Sequence, residues 1–341
     1  MKTRSIIKSR NLPMFITMCL FVLMFGFGSF TFKGFFSLQN FFDLFIDNAY
    51  LIIIGVGMTF VIISGGIDLS VGSVLALSTM LSSSLLEKSH MDPILVIPIV
   101  LLVGIALGLF MGLLIQKFDL PPFIITLAGL YFARGLCYVI SLETIGITND
   151  FWQKASQMQI YIGSSFISTS VVIAVVILLA GMFISRYTKF GRTVFAIGGN
   201  EQSAILMGLP VARTKILLYG FSGFCSALAG IVFTFYTQSG YALNGKGMEM
   251  DAIAAVVIGG TLLTGGVGSI LGTLMGVFIF GTIQLLIAFQ GTLNSWWTRI
   301  AIGFLVFVFC FLQRVLETRK GARASAAAPA KAKGSAGTVK A

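Results

Sequence analysis

Residues 55–78 read GVGMTFVIISGGIDLSVGSVLALS. The stretch begins as an apolar run, places Ser64, Gly65, Gly66, Asp68 and Ser70 in quick succession, and resumes as VLAL. Lipid cannot satisfy a loosened backbone or solvate a carboxylate, so such a break in a membrane helix belongs where it lines a cavity, packs on protein or reaches the surface. The glycines permit a tight reversal or a broken helix. Asp68 is placed to cap a helix starting at Leu69, and the same carboxylate could instead contact a solute. We expect the segment to be a structural or gating element.

Across the chain, 57% of the 341 residues are hydrophobic, 10% are charged, and the mean hydropathy is +0.97. Soluble domains carry about 25% charged residues, so this composition predicts an all-α polytopic membrane protein. About ten apolar segments can be drawn, at 12–32, 43–63, 70–87, 94–115, 121–142, 165–185, 215–237, 250–263, 268–289 and 297–315. Most approach the roughly 17–25 residues a crossing needs. The eighth is shorter and contains Gly259 and Gly260, which suits a half-helix or a buried, tilted one.

The net charge of +11 is distributed in blocks at 2–10, 186–215 and 314–340. Blocks of this kind mark cytoplasmic segments. They place both termini and the long loop 186–214 inside, and they explain the charge without nucleic acid. The domain reading is a cytoplasmic N-terminus (1–11), a transmembrane domain (12–316) and a disordered cytoplasmic tail (317–341) whose Ala, Gly and Lys cannot bury a core. The first apolar run reads as an uncleaved helix, because no small-residue cleavage site follows it.

VGIALGLFMG (103–112) and VGSILGTLMG (267–276) share Val, Gly, Leu and Met positions and carry glycines at i, i+4 and i+8. They fall in the fourth and ninth segments, which points to a 5+5 inverted repeat. GxxxG stripes for close packing are also common in membrane helices generally.

The 186–214 loop holds a short helix signature. Asn200 is a suitable N-cap, EQSAILM follows, and Gly208 and Pro210 are stop signals. Ala204, Ile205 and Met207 form the expected apolar side, which either docks a partner or lies on the protein's own face. Within spans, Arg134, Asp251 and Arg299 are the notable charges. They form either a structural pair with Asp251 or contacts to polar substrate.

Catalytic and cofactor motifs are absent. His90 is the single histidine, the cysteines Cys19, Cys137, Cys225 and Cys310 fall on different segments, and GGVGSILG (265–272) lacks the Lys and Ser/Thr of a nucleotide-binding loop. The chain is therefore read as neither an ATPase nor an enzyme. A proton- or sodium-coupled carrier would carry more ionisable groups at the midplane. Trp296 and Trp297 read as interfacial anchors.

GMTFVIISGGIDLSVGSVLAL (57–77), PPFIITLAGLYFARG (121–135), KFGRTVFAIGGNEQSAILMG (189–208) and DAIAAVVIGGTLLTGGVGSILGTLMG (251–276) resemble, in matching order, the hallmark blocks of ribose-type ABC monosaccharide-importer permeases. YTQSGYAL (236–243) and GTLNSWWTRIAIG (291–303) are most similar to the permease of bacterial galactofuranose importers. The resemblance implies a translocation subunit of the inner membrane, working with a second permease as homo- or heterodimer, a cytoplasmic ATPase and a periplasmic sugar-binding protein. It marks Gly65, Gly66, Asp68 and Ser70 as a signature. It also makes Gly191, Arg192, Gly199, Asn200, Ala204, Ile205, Met207 and Gly208 the coupling element to the ATPase.

Overall fold

A computed structural model describes residues 12–292, 294 and 296–327. Each of the ten apolar segments contains a helix, and the bundle is built in the order α1 (Leu12–Thr31), α2 (Leu38–Ile46), α3 (Ala49–Ile63), α4 (Val71–Glu87), α5 (Pro93–Lys117) and α6 (Pro122–Ile140). After these come β1 (Ile145–Gly146), α7 (Asp150–Gln157), the hairpin β2 (Gln159–Ile162) and β3 (Ser165–Ser168), and α8 (Thr169–Tyr187). Then follow α9 (Lys189–Gly199), α10 (Glu201–Leu206), α11 (Val211–Thr237), β4 (Ser239–Gly240), α12 (Met248–Ile258), α13 (Ile270–Gln290) and α14 (Trp296–Ala327).

By length and composition, six helices among the described residues are fit to cross a membrane: α1, α5, α6, α8, α11 and α13. The pair α2 and α3 makes a seventh if counted as one broken span, bent by 55°. This is fewer than ten regular crossings. The reason is visible in α12, whose 11 residues reach only about 16 Å at about 1.5 Å per residue, half the hydrocarbon thickness. Helix α4 and the apolar part of α14 are likewise short.

The bend also corrects the single 43–63 segment. Asn48 turns its amide back to the Leu44 carbonyl at 3.0 Å, and its backbone leaves helical geometry. A short polar side chain competing for the helix's own carbonyls is a standard origin of such a kink. Two minimal antiparallel ladders, β1 with β4 and β2 with β3, are additions to an otherwise all-helical fold. The tail differs too. Helix α14 continues to Ala327, because a helix already nucleated propagates readily through Ala, Arg and Lys. The basic block at 2–10 and the tail beyond 327 lie outside the described residues.

Both glycine stripes are used for backbone approach. A Cβ on Gly104 or Gly108 of α5 would strike the carbonyls of Gly223 and Tyr219 on α11, and one on Gly272 or Gly276 of α13 would strike those of Gly259 and Ala255 beside α12. Their partners are the seventh and eighth segments. Around this centre α3, α4, α11, α12 and α13 are mostly buried, whereas α1, α5, α6, α8 and α14 turn Phe27, Phe110, Phe132, Phe183 and Phe304 outward. Such a rim suits lipid rather than water.

Outside the spans, α7 is fastened by Trp152, which is fully buried and donates its indole N–H to Thr234 Oγ1 at 2.9 Å. Glu87 accepts from the Thr148 N–H and hydroxyl at 2.6 and 2.7 Å, fixing the entry to that helix. Trp152→Ala should destabilise the permease by about 3–5 kcal/mol, the usual cost of deleting a buried Trp, and lower its thermal midpoint in detergent.

Candidate functional site

The segment 64–70 lies at one end of the bundle. Helix α3 closes with Gly65 in the left-handed region (φ +85°), the Gly65 N–H donating to the Ile62 carbonyl and the Gly66 N–H to the Val61 carbonyl. This is the glycine C-cap that nested six- and four-residue backbone returns produce. The chain then turns into α4, whose N-cap is Ser70 rather than the residue before Leu69.

Asp68 is the knot of this turn and is buried. Its Oδ1 accepts from the Ser70 N–H at 2.9 Å and the Ser70 hydroxyl at 2.6 Å, while Oδ2 accepts from the Ser222 hydroxyl at 2.6 Å. One carboxylate thereby organises the start of α4 and ties it to the middle of α11. Both oxygens are engaged and the group is buried, which favours the structural role over contact with a solute. Tyr219, one turn before Ser222, covers the same turn: a Cβ on Gly66 would lie 2.5 Å from its Oη.

Three Gly-Gly pairs converge beside this knot. They are Gly65 and Gly66 after α3, Gly198 and Gly199 at the end of α9, and Gly265 and Gly266 in the turn leading to α13. The Gly266 N–H donates to the Ile63 carbonyl at 2.8 Å. A Cβ on Gly198 would strike that same carbonyl and approach Gly266 N to 2.5 Å. One on Gly265 would sit 3.0 Å from Gly65 N and 3.1 Å from the Gly198 carbonyl. Gly265 and Gly266 both have positive φ, at +84° and +74°, which only glycine adopts without strain. The junction is thus made of backbone against backbone, with no side chain between the elements.

Helices α9 and α10 hang directly on it. Thr188 caps α9 by accepting the Gly191 N–H at 3.1 Å, and Gly191 has no room for a side chain against the Ile184 and Ser185 carbonyls. Arg192 is exposed, its Nη1 reaching the Tyr187 carbonyl at 3.5 Å. Asn200 caps α10 as expected, accepting the Ser203 N–H at 2.7 Å, and Gly208 ends it with φ +74°. Glu201 pairs with Lys215 at the base of α11.

The expected apolar face of α10 needs correction. Ala204 is fully buried against Ile197 and Val211 and faces the protein, whereas Ile205, Leu206 and Met207 are exposed, Leu206 by 88%. In a six-residue helix the run AILM wraps most of a turn, so spacing alone does not select a face. Leu206, Gly198, Ser222, Gly265 and Gly266 are the residues sequence reasoning missed. Gly199 was singled out, but a Cβ there would meet nothing within 4 Å; its neighbour Gly198 makes the contact.

Of the charged residues, Arg134 does not reach Asp251. It donates Nη1 to the carbonyls of Ala242 and Asn244, the latter at 2.8 Å, and so pins the chain after β4 against α6. Asp251 instead faces Arg299 at 4.0 Å.

A protein family described as branched-chain amino acid transport system / permease component matches residues 40–310. The chain is 50% identical over 308 residues to the inner membrane ABC transporter permease protein YjfF of Escherichia coli K12, covering 90% of this chain and 93% of that one. It is 38% identical to the fructose import permease protein FruG of Bifidobacterium longum, covering 89% and 91%. The ribose import permease protein RbsC of Bacillus subtilis is 38% identical over 77% of this chain and 80% of its own. No solved structure matches.

Proposed function

The chain belongs to the ABC-importer permease family described as branched-chain amino acid transport system / permease component, a non-enzymatic transport component, and from that premise we propose that it carries a monosaccharide into the cytoplasm. The sugar reading is supported by relatives whose names specify fructose import, ribose import and D-allose transport. Galactofuranose is the first candidate because 236–243 and 291–303 resemble that importer's permease. A pathway built from Ser, Thr and Gly, with few charges, suits a neutral polyol that is held weakly and released.

In this reading the ten helical segments cross or enter the inner membrane and both termini lie in the cytoplasm, as the basic blocks require. The α9–α10 face is cytoplasmic, and the chain works with a second permease, a cytoplasmic ABC ATPase and a periplasmic binding protein. The coupling assignment rests on the exposed row Ile205, Leu206 and Met207 on a capped helix. Exposed apolar side chains beyond the lipid layer need a partner to cover them. A groove of the ATPase would do so, and closure of that subunit on ATP would push α10 against the glycine junction. From there displacement passes to the ends of α3, α12 and α13 through backbone contact alone, re-aiming the central helices.

The test is a set of single substitutions, Ile205→Asp, Leu206→Asp and Met207→Asp. Each should leave permease abundance unchanged while reducing co-purification of the ATPase and sugar uptake by about tenfold or more, as interface anchors worth about 2 kcal/mol do. Full uptake with the ATPase still bound in all three would refute the coupling role. Uptake of ribose in preference to galactofuranose by the wild type would move the substrate to a pentose.

A further inference from the structure

At the end of the bundle away from the glycine junction, α12, α13 and α14 line a half-open cavity of about 550 Å³. Pockets for small molecules commonly measure about 300–1,000 Å³. Its polar lining is Asp251, Gln284, Thr298 and Arg299, and Phe280 and Ile302 contribute apolar wall. Gln284 lies six residues before Gln290, the end of α13, so the cavity reaches about 9 Å into the helical layer at about 1.5 Å per residue.

A glutamine at that depth is costly without a partner. Among the described residues neither the Gln284 amide nor the Thr298 hydroxyl makes a hydrogen bond to protein, although Thr298 is buried. Asp251 and Arg299 stand at 4.0 Å, the outer limit of an ion pair, so each keeps hydrogen-bonding capacity for a third party. One negative and one positive group cancel, which gives no preference for a charged solute. An acceptor-only carboxylate, a donor-only guanidinium, and an amide and a hydroxyl that do both match the alternating hydroxyls of a polyol. The apolar wall suits its C–H face.

We propose that this cavity is a sugar-binding subsite on the entry side of the pathway, with Gln284 and Thr298 as its solute-facing groups. The proposal rests on the importer reading and adds to it the place where the sugar is first held by the membrane subunit.

The test uses the full chain assembled with its ATPase, binding protein and second permease. Gln284→Leu and Thr298→Val each remove one side chain's hydrogen bonds. Uptake at saturating loaded binding protein should fall about three- to tenfold in each, the fold-change expected for one lost hydrogen bond, at normal permease abundance. Gln284→Asn should recover part of the rate. Independently, Ala288→Cys at the cavity wall should be labelled by a membrane-impermeant thiol reagent, and millimolar galactose, ribose or arabinose in the bath should slow the labelling. Wild-type uptake rates in both Gln284→Leu and Thr298→Val, or labelling of Ala288→Cys that no sugar slows, would overturn the subsite while leaving the importer intact. A wild-type assembly that imports no monosaccharide would overturn both.

Discussion

Replacing Gly198 with alanine is expected to abolish sugar uptake and to lower the amount of permease in the membrane. The new methyl would occupy the space held by the Ile63 carbonyl and crowd the Gly266 N–H, which donates to that same carbonyl. Both obstacles are backbone, so neither can rotate away. Either the α9 end moves out or the Gly266–Ile63 hydrogen bond breaks. Overpacking of this kind costs about 1–3 kcal/mol, and a lost buried hydrogen bond adds about 1 more. Beyond stability, the displacement falls on the path that links α10 to α3 and α13. Uptake should therefore drop further than abundance does, by at least about tenfold per molecule. Gly199→Ala, one residue away with open space around its Cβ, is the matched control and should transport normally. Immunoblotting of membranes beside uptake separates the two effects. Equal transport by the Gly198 and Gly199 variants would show that the junction does not carry motion.

Asp68→Ala is expected to be the most damaging single substitution in the bundle's interior. It deletes the acceptor for three hydrogen bonds and strands the Ser70 N–H and the hydroxyls of Ser70 and Ser222 in a buried setting. Each stranded donor costs about 1–3 kcal/mol, so a total of roughly 3–9 kcal/mol is expected, enough to deplete the folded permease. Asp68→Asn keeps one carbonyl oxygen for Ser70 and can donate to Ser222, whose hydroxyl accepts as readily as it donates. It should retain abundance and lose less than half the stability that alanine loses. Thermal midpoints of the purified variants check the order. If the two behave alike, the charge rather than the hydrogen-bond geometry is what the site needs.

The contrast between these residues explains how much was legible. Asp68 followed by Ser70 is a local capping pattern, so its role at the start of α4 could be read from spacing. Its third partner, Ser222, is 154 positions away and leaves no local trace. Likewise Asn200, Gly208 and Pro210 delimit α10 through caps and stops, which are short-range chemistry. That Ala204 rather than Leu206 turns inward depends on Ile197 and Val211, which only the fold brings there. A glycine announces freedom of its own backbone and nothing of its neighbour. Gly198 and Gly199 are therefore alike in sequence, although a side chain would clash only at the first. Membrane character was plain from composition, but the number of full crossings was not. The bend at Asn48 and the shortness of α12 arise from hydrogen bonding and burial rather than from hydropathy. Arg134 illustrates the remaining limit. A charge in a span predicts a partner, and carboxylates are the ones that a sequence displays. The partners it has, the carbonyls of Ala242 and Asn244, exist for every residue and so are invisible in advance.

In the proposed mechanism an ATPase supplies the motion of the pathway through α10. Uptake of labelled monosaccharide is measured in vesicles holding the permease with its ATPase, binding protein and second permease. Uptake is predicted to require ATP and to vanish when the ATPase is withheld or Leu206 is replaced by Asp. Accumulation that persists at full rate without the ATPase would contradict it.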